Sequence, residues 1–168
     1  MLAYTEKGTG DILVLLHGFC ENKSLWDDFT DVLSESYRVI ALDLPGFGDS
    51  LNDVRFYSME AMADAVCQLL VQLEIKKCVM VGHSLGGYVS LAFAEKYTDM
   101  LSGLGLFHSS AFPDSEEKKQ NRDKVIDYVE RNGVESFIKP FIPPLFFMRN
   151  RERCSGDIQK MTDIGMTT

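Results

Sequence analysis

Short, unbroken apolar runs alternate through the first two-thirds of the chain with longer segments whose apolar residues recur every three or four positions. The runs 13–16, 37–42, 77–81 and 101–107 are too short for helices and mostly apolar, the signature of strands, and 13–16 and 77–81 read as buried ones. Between them, residues 22–34 carry Leu25, Trp26, Phe29, Val32 and Leu33 on one side. Residues 58–73 carry Met62, Ala65, Val66, Leu69, Leu70 and Leu73, with Ser58 placed as an N-cap. Both patterns predict amphipathic helices. Residues 87–97 continue from Leu85 through Val89, Ala92 and Phe93 and predict a third. A strand at 2–5 and the turn Gly8-Thr9-Gly10-Asp11 predict a hairpin into the strand 12–16. Strand and helix in alternation predict an α/β fold, a mostly parallel sheet with helices on both faces.

The pattern changes after Pro113. Residues 114–121 are strongly charged and open a helix that runs through Val125, Ile126, Tyr128 and Val129 to a stop at Gly133. Residues 137–148 are apolar and aromatic, with three prolines that break any long helix. The chain therefore divides into 1–113, a sheet-forming core, and 114–168, a helical segment. No repeat or low-complexity stretch is present.

At 168 residues and 45% hydrophobic content the chain can bury a core and is not of disordered type. A net charge of −8 and a pI near 4.8 argue against nucleic acid or an anionic membrane as partner, since both need a basic surface. No apolar stretch approaches the ~20 residues of a membrane span. The N-terminus lacks the basic-then-apolar order of a signal peptide. The four cysteines show no metal-type spacing; Cys67 and Cys78 lie in core patterns, and a reduced, cytoplasmic compartment is expected.

The candidate chemistry lies at the strand ends. Gly82-His83-Ser84-Leu85-Gly86 stands between the strand 77–81 and the following helix. A G-x-S-x-G in that context is a nucleophile elbow: the turn is tight enough to strain the serine backbone and to demand glycine beside it. Ser84 is thereby lifted to a helix N-terminus, where negative charge is favoured as it develops. The strand 13–16 feeds His17-Gly18-Phe19, and the strand 37–42 feeds the block Asp43 to Ser50.

These three blocks, in this order, resemble the α/β-hydrolase family over residues 2 to about 113. The resemblance implies an oxyanion hole made by the N–H groups of Leu85 and Phe19, with Gly18 allowing close approach of the substrate. It places His17 in the oxyanion-loop motif and His83 at the variable elbow position, its side chain pointing away from the serine. It further implies a triad in the order serine, acid, histidine. Only His108 follows Ser84, at the end of the strand 101–107, which resembles the sixth of the family. The seventh and eighth strands, which carry acid and base, are not found in this sequence. The chain then reads as the N-terminal part of an enzyme of roughly 250 residues, beginning a helical cap, with acid and base beyond Thr168 and little turnover from these residues alone.

The chemistry expected is hydrolysis of an ester-like small molecule through an acyl-enzyme on Ser84, with neither metal nor cofactor. An epoxide hydrolase or dehalogenase of this fold would use an aspartate nucleophile. Acyl transfer, C–C hydrolysis and lyase chemistry use the same motifs, and a non-catalytic binding module is the alternative of another class. An in-chain triad would join His108 to Asp43 or Asp114. Cys20, His108, Phe141 and Phe146 are expected to line the pocket. The apolar strand 101–107 is expected at a sheet edge, where it invites self-association.

Overall fold

The computed structural model describes residues 1–50 and 58–167. Its strands form one sheet in the order β1-β3-β2-β4-β5. Strands β2 (Asp11–Leu16), β3 (Tyr37–Leu42), β4 (Cys78–His83) and β5 (Leu101–Phe107) are parallel, and β1 (Tyr4–Lys7) runs antiparallel to β3. The register sets Leu15 of β2 beside Ala41 of β3 and Val81 of β4. The expected mostly parallel sheet is therefore present.

The expected hairpin is not. Both edges of β2 are taken, by β3 and by β4, so β1 pairs with the free edge of β3, Thr5 opposite Ala41. The link through Gly8 instead crosses the start of β3, so close that a side chain at Gly8 would overlap the Ser34 and Tyr37 carbonyls.

Strand side chains alternate between faces, so each strand feeds two cores. Val14, Leu16, Ile40, Leu42 and Met80 meet α2 (Met59–Gln72) and α3 (Leu85–Lys96) on one face. Leu13, Leu15, Val39 and Ala41 meet Trp26 on the other, ahead of α1 (Asp27–Leu33). Ser58 caps α2 as expected, its hydroxyl accepting from the Ala61 N–H at 3.1 Å. Met62, Val66, Leu69 and Leu70 are buried along the predicted stripe.

The segment 22–34 departs from expectation. It opens as a 3-10 turn, Lys23–Trp26, capped by Asn22, before α1 begins. Phe29 and Val32 are exposed rather than part of the apolar side. Helical spacing from buried Trp26 leads to Thr30 and Leu33, and those two face inward. Phe29 lays its ring edge on Trp26 instead, with centroids 5.6 Å apart.

Residues 1–111 and the segment from Phe112 onward are two compact units. In the second, α4 (Glu116–Asn132) is capped by the Ser115 hydroxyl and by Gly133 in a left-handed conformation. It has no buried residue and is laced by pairs such as Glu116 with Lys119. The proline-containing run begins as helix: α5 (Val134–Phe141) holds Pro140 in its last turn, and 3-10 turns follow at Pro143–Leu145 and Met148–Asn150. Ile138 and Ile142 are buried, and α6 (Ser155–Met166) closes the described chain. Thr168, the last residue of the predicted segment, lies outside the described residues.

Candidate active site

Strand β4 ends at His83 and α3 begins at Leu85, so Ser84 forms the whole of the junction. Its φ of 48° and ψ of −111° fall where L-residues are strained. Backbone contacts hold it there. The Ser84 N–H donates to the Phe107 carbonyl at 3.1 Å, and the Ser84 carbonyl accepts from Gly87 N–H at 3.0 Å and from the Ser109 hydroxyl at 2.8 Å. Among the described residues the Ser84 hydroxyl itself has no hydrogen-bond partner. The elbow closes so tightly that a Cβ on Gly86 would lie 2.5 Å from the Leu16 carbonyl oxygen. The N–H of Leu85 is the first of α3 and belongs to the donors that a helix leaves unsatisfied at its start.

The loop after β2 is held from two sides. His17 is fully buried; its Nε2 accepts from the Leu44 N–H at 3.0 Å, which assigns the proton to Nδ1, 2.8 Å from the Gly18 carbonyl it donates to. This ring ties the loop after β2 to the segment after β3. Burial is the leading influence on it and holds its pKa below the usual 6.5, outweighing the Gly18 carbonyl, Asp43 and Glu21, which favour the charged form. An unfolded His17 therefore binds a proton near pH 6.5 that the folded ring refuses. Stability is expected to fall as pH drops below about 6.5, and His17→Gln is expected to flatten that part of the profile in urea melts at pH 5.5 and 7.5.

The block after β3 is braced by Asp43. Its buried carboxylate accepts from the backbone N–H of Lys23 at 2.7 Å, the Lys23 ammonium at 2.7 Å and the Asp49 N–H at 2.9 Å. Burial works against the Lys23 charge, but the hydrogen bonds the ammonium donates to Asp43 and Asp49 outweigh it and hold it above its usual range.

Sequence reasoning missed Glu21. Its Oε2 accepts from the Gly18 N–H at 2.6 Å and lies 2.8 Å from Nδ1 of His83. The one available signal was a carboxylate placed three residues after Gly18, within reach of its N–H. His83, expected to point away from the serine, turns to this carboxylate.

The remaining predicted residues are placed as follows. Phe19 is half-exposed, its ring edge toward Phe47. Cys20 is buried at φ 60°, and burial, helped by Glu21, pushes its thiol up to about 12. His108 is exposed at φ 46°, with its ring 4.7 Å from that of Phe107 and 6.3 Å from that of His83. Among the described residues it makes no hydrogen bond. Asp43 is engaged by Lys23, and Asp114, in the second unit, by Arg122. Phe141 and Phe146 belong to the second unit and are half-buried. No group of metal-ligating side chains occurs among the described residues, and no helix there is long and apolar enough to cross a membrane.

A strained serine at the mouth of a parallel sheet, beside a glycine loop from the neighbouring strand, defines the nucleophile-elbow class of α/β protein. The alpha/beta hydrolase fold family matches residues 11–142, and the chain belongs to it. Epoxide hydrolase 3 of Xenopus tropicalis is 38% identical over 108 residues, 61% of this chain and 29% of that protein. A thermophilic esterase from Thermogutta terrifontis, solved with malate bound, superposes with a TM-score of 0.92 at 38% identity, over 99% of this chain and 61% of that one. The enol-lactonase of Burkholderia xenovorans LB400 superposes with a TM-score of 0.90 at 23% identity, over 99% of this chain and 65% of its own length, and attests the fold alone. The chain thus spans less than two-thirds of the length of each.

Proposed function

We propose that the protein is a serine hydrolase of small-molecule carboxylic esters. Ser84 Oγ attacks the acyl carbon as a base takes its proton, and the N–H groups of Phe19 and Leu85 receive the oxyanion. The alcohol then leaves, and water releases the acid from the acyl-enzyme. The reaction needs no metal or organic cofactor. The observation that carries this reading is the strained backbone of Ser84 between β4 and α3, with a hydroxyl that has no hydrogen-bond partner among the described residues. A serine there, where an epoxide hydrolase of this fold would use aspartate, favours ester over epoxide as substrate. The esterase similarity at 38% identity supports the same choice.

The base lies outside residues 1–168 in this reading, because among the described residues no carboxylate is hydrogen-bonded to His108. These residues alone are expected to hydrolyse p-nitrophenyl acetate little faster than buffer, and His108→Ala is expected to change that rate less than about twofold. Fast hydrolysis lost in His108→Ala would make His108 the base. For the whole protein, saturable turnover of the ester is the expected result. Tight binding of esters with no turnover would favour a ligand-binding module instead.

A further inference from the structure

We infer that Glu21 is a positioning residue, which clamps the loop after β2 to the elbow and fixes where the Gly18–Phe19 peptide stands relative to Ser84. Its catalytic consequence rests on the serine-hydrolase reading; the clamp rests on geometry. Glu21 is 7% exposed, and a single oxygen, Oε2, receives both the Gly18 N–H at 2.6 Å and Nδ1 of His83 at 2.8 Å. A carboxylate oxygen accepts, so the Nδ1 proton of His83 points at it. One end of the clamp is therefore the loop, and the other is the residue immediately before the nucleophile.

The clamp leaves no slack. A Cβ on Gly18 would lie 2.7 Å from Glu21 Oε2, 2.9 Å from His83 Nδ1 and 3.2 Å from Ser84 Cβ. Cys20 adopts φ 60°, a region that non-glycine residues seldom enter, at the bend where Glu21 folds back on Gly18. On the far side, His17 Nδ1 holds the Gly18 carbonyl. That carbonyl and the Phe19 N–H belong to one planar trans peptide, in which the two point in opposite directions. Fixing the Gly18 N–H with Glu21 and the Gly18 carbonyl with His17 thus sets the direction of the Phe19 N–H. It also commits the Gly18 N–H to Glu21, so it is not the oxyanion donor.

A negative charge beside a developing oxyanion works against it, and the His83 proton offsets that charge. Position and charge can therefore be separated: the amide oxygen of Gln can accept both contacts without the charge, whereas Ala and Leu can accept neither. The experiment compares Glu21→Gln, Glu21→Ala and Glu21→Leu with the wild type in the whole protein. It reads amide hydrogen exchange by residue, and the labelling rate of Ser84 by a fluorophosphonate at saturating probe.

Ala and Leu are expected to speed exchange at Gly18 and Phe19 about tenfold or more. Amides of β4 and α3 should change less than about twofold, and labelling should slow about tenfold with little change in half-saturating probe. Gln is expected to stay within about threefold of wild type in both. Three results would overturn the clamp: wild-type exchange at Gly18 in Glu21→Ala, a uniform rise across β4 and α3, or failure of Gln to restore either readout. A wild-type protein that never labels overturns the serine reading instead, and the exchange pattern still decides the clamp.

Discussion

Ser84→Ala in the whole protein is expected to lower ester turnover on the order of 10⁴-fold or more while leaving the thermal midpoint nearly unchanged. The two halves have different causes. The hydroxyl makes no hydrogen bond among the described residues, so removing it leaves no buried group unsatisfied, and the contacts that hold the elbow are all made by the Ser84 backbone. Alanine inherits the same strained φ of 48° at the same cost. A nucleophile, by contrast, forms the bond on which each later step depends, and what survives its loss is the modest rate given by oxyanion donors and binding. Steady-state kinetics beside a melting curve measure both halves. Turnover within tenfold of wild type would mean that another group attacks the ester.

The second large effect concerns folding. Gly82→Ala is expected to destabilise the chain by about 3 kcal/mol or more, seen as a melting midpoint lower by roughly 10 °C. A Cβ at Gly82 would overlap the Gly86 carbonyl and lie 2.5 Å from the Gly87 nitrogen. These are backbone atoms of the first turn of α3, so no rotamer change relieves the clash. Relief requires α3 to shift away from β4, and that opens the core formed by Met80, Val89 and Phe93. Gly103→Ala, on the neighbouring strand, is the control. Its added Cβ would meet only Val79 side-chain atoms, at 3.4 Å and beyond, and is expected to cost under about 1 kcal/mol. Equal midpoints for the two variants would contradict this account of the elbow.

How much was legible in the sequence depended on whether the deciding interactions are local. The strand at 37–42 and the edge strand at 101–107 were read at their observed limits, because a short apolar run carries its own pattern even at the sheet edge, where β5 has no buried residue. The junction at Ser84 was legible for a related reason: a strand, a glycine-flanked serine and a helix leave one geometry open. The hairpin failed because which strand β1 joins is decided by competition for the edges of β2 and β3, and no turn sequence encodes that. Phe29 and Val32 were misplaced because an opening 3-10 turn resets the phase of the helix that follows. Glu21 was missed because its importance arises from a partner 62 positions away, at His83. A carboxylate in a loop looks like any other until the fold brings the elbow to it.

If Ser84 is the nucleophile, it must carry the adduct of a reagent that traps activated serines. The whole protein is incubated with a fluorophosphonate, digested, and mapped by mass spectrometry. One phosphonyl group is expected, on Ser84, and none in Ser84→Ala. A protein still unmodified after prolonged exposure, or one modified at another serine such as Ser109 with Ser84 untouched, would contradict that role.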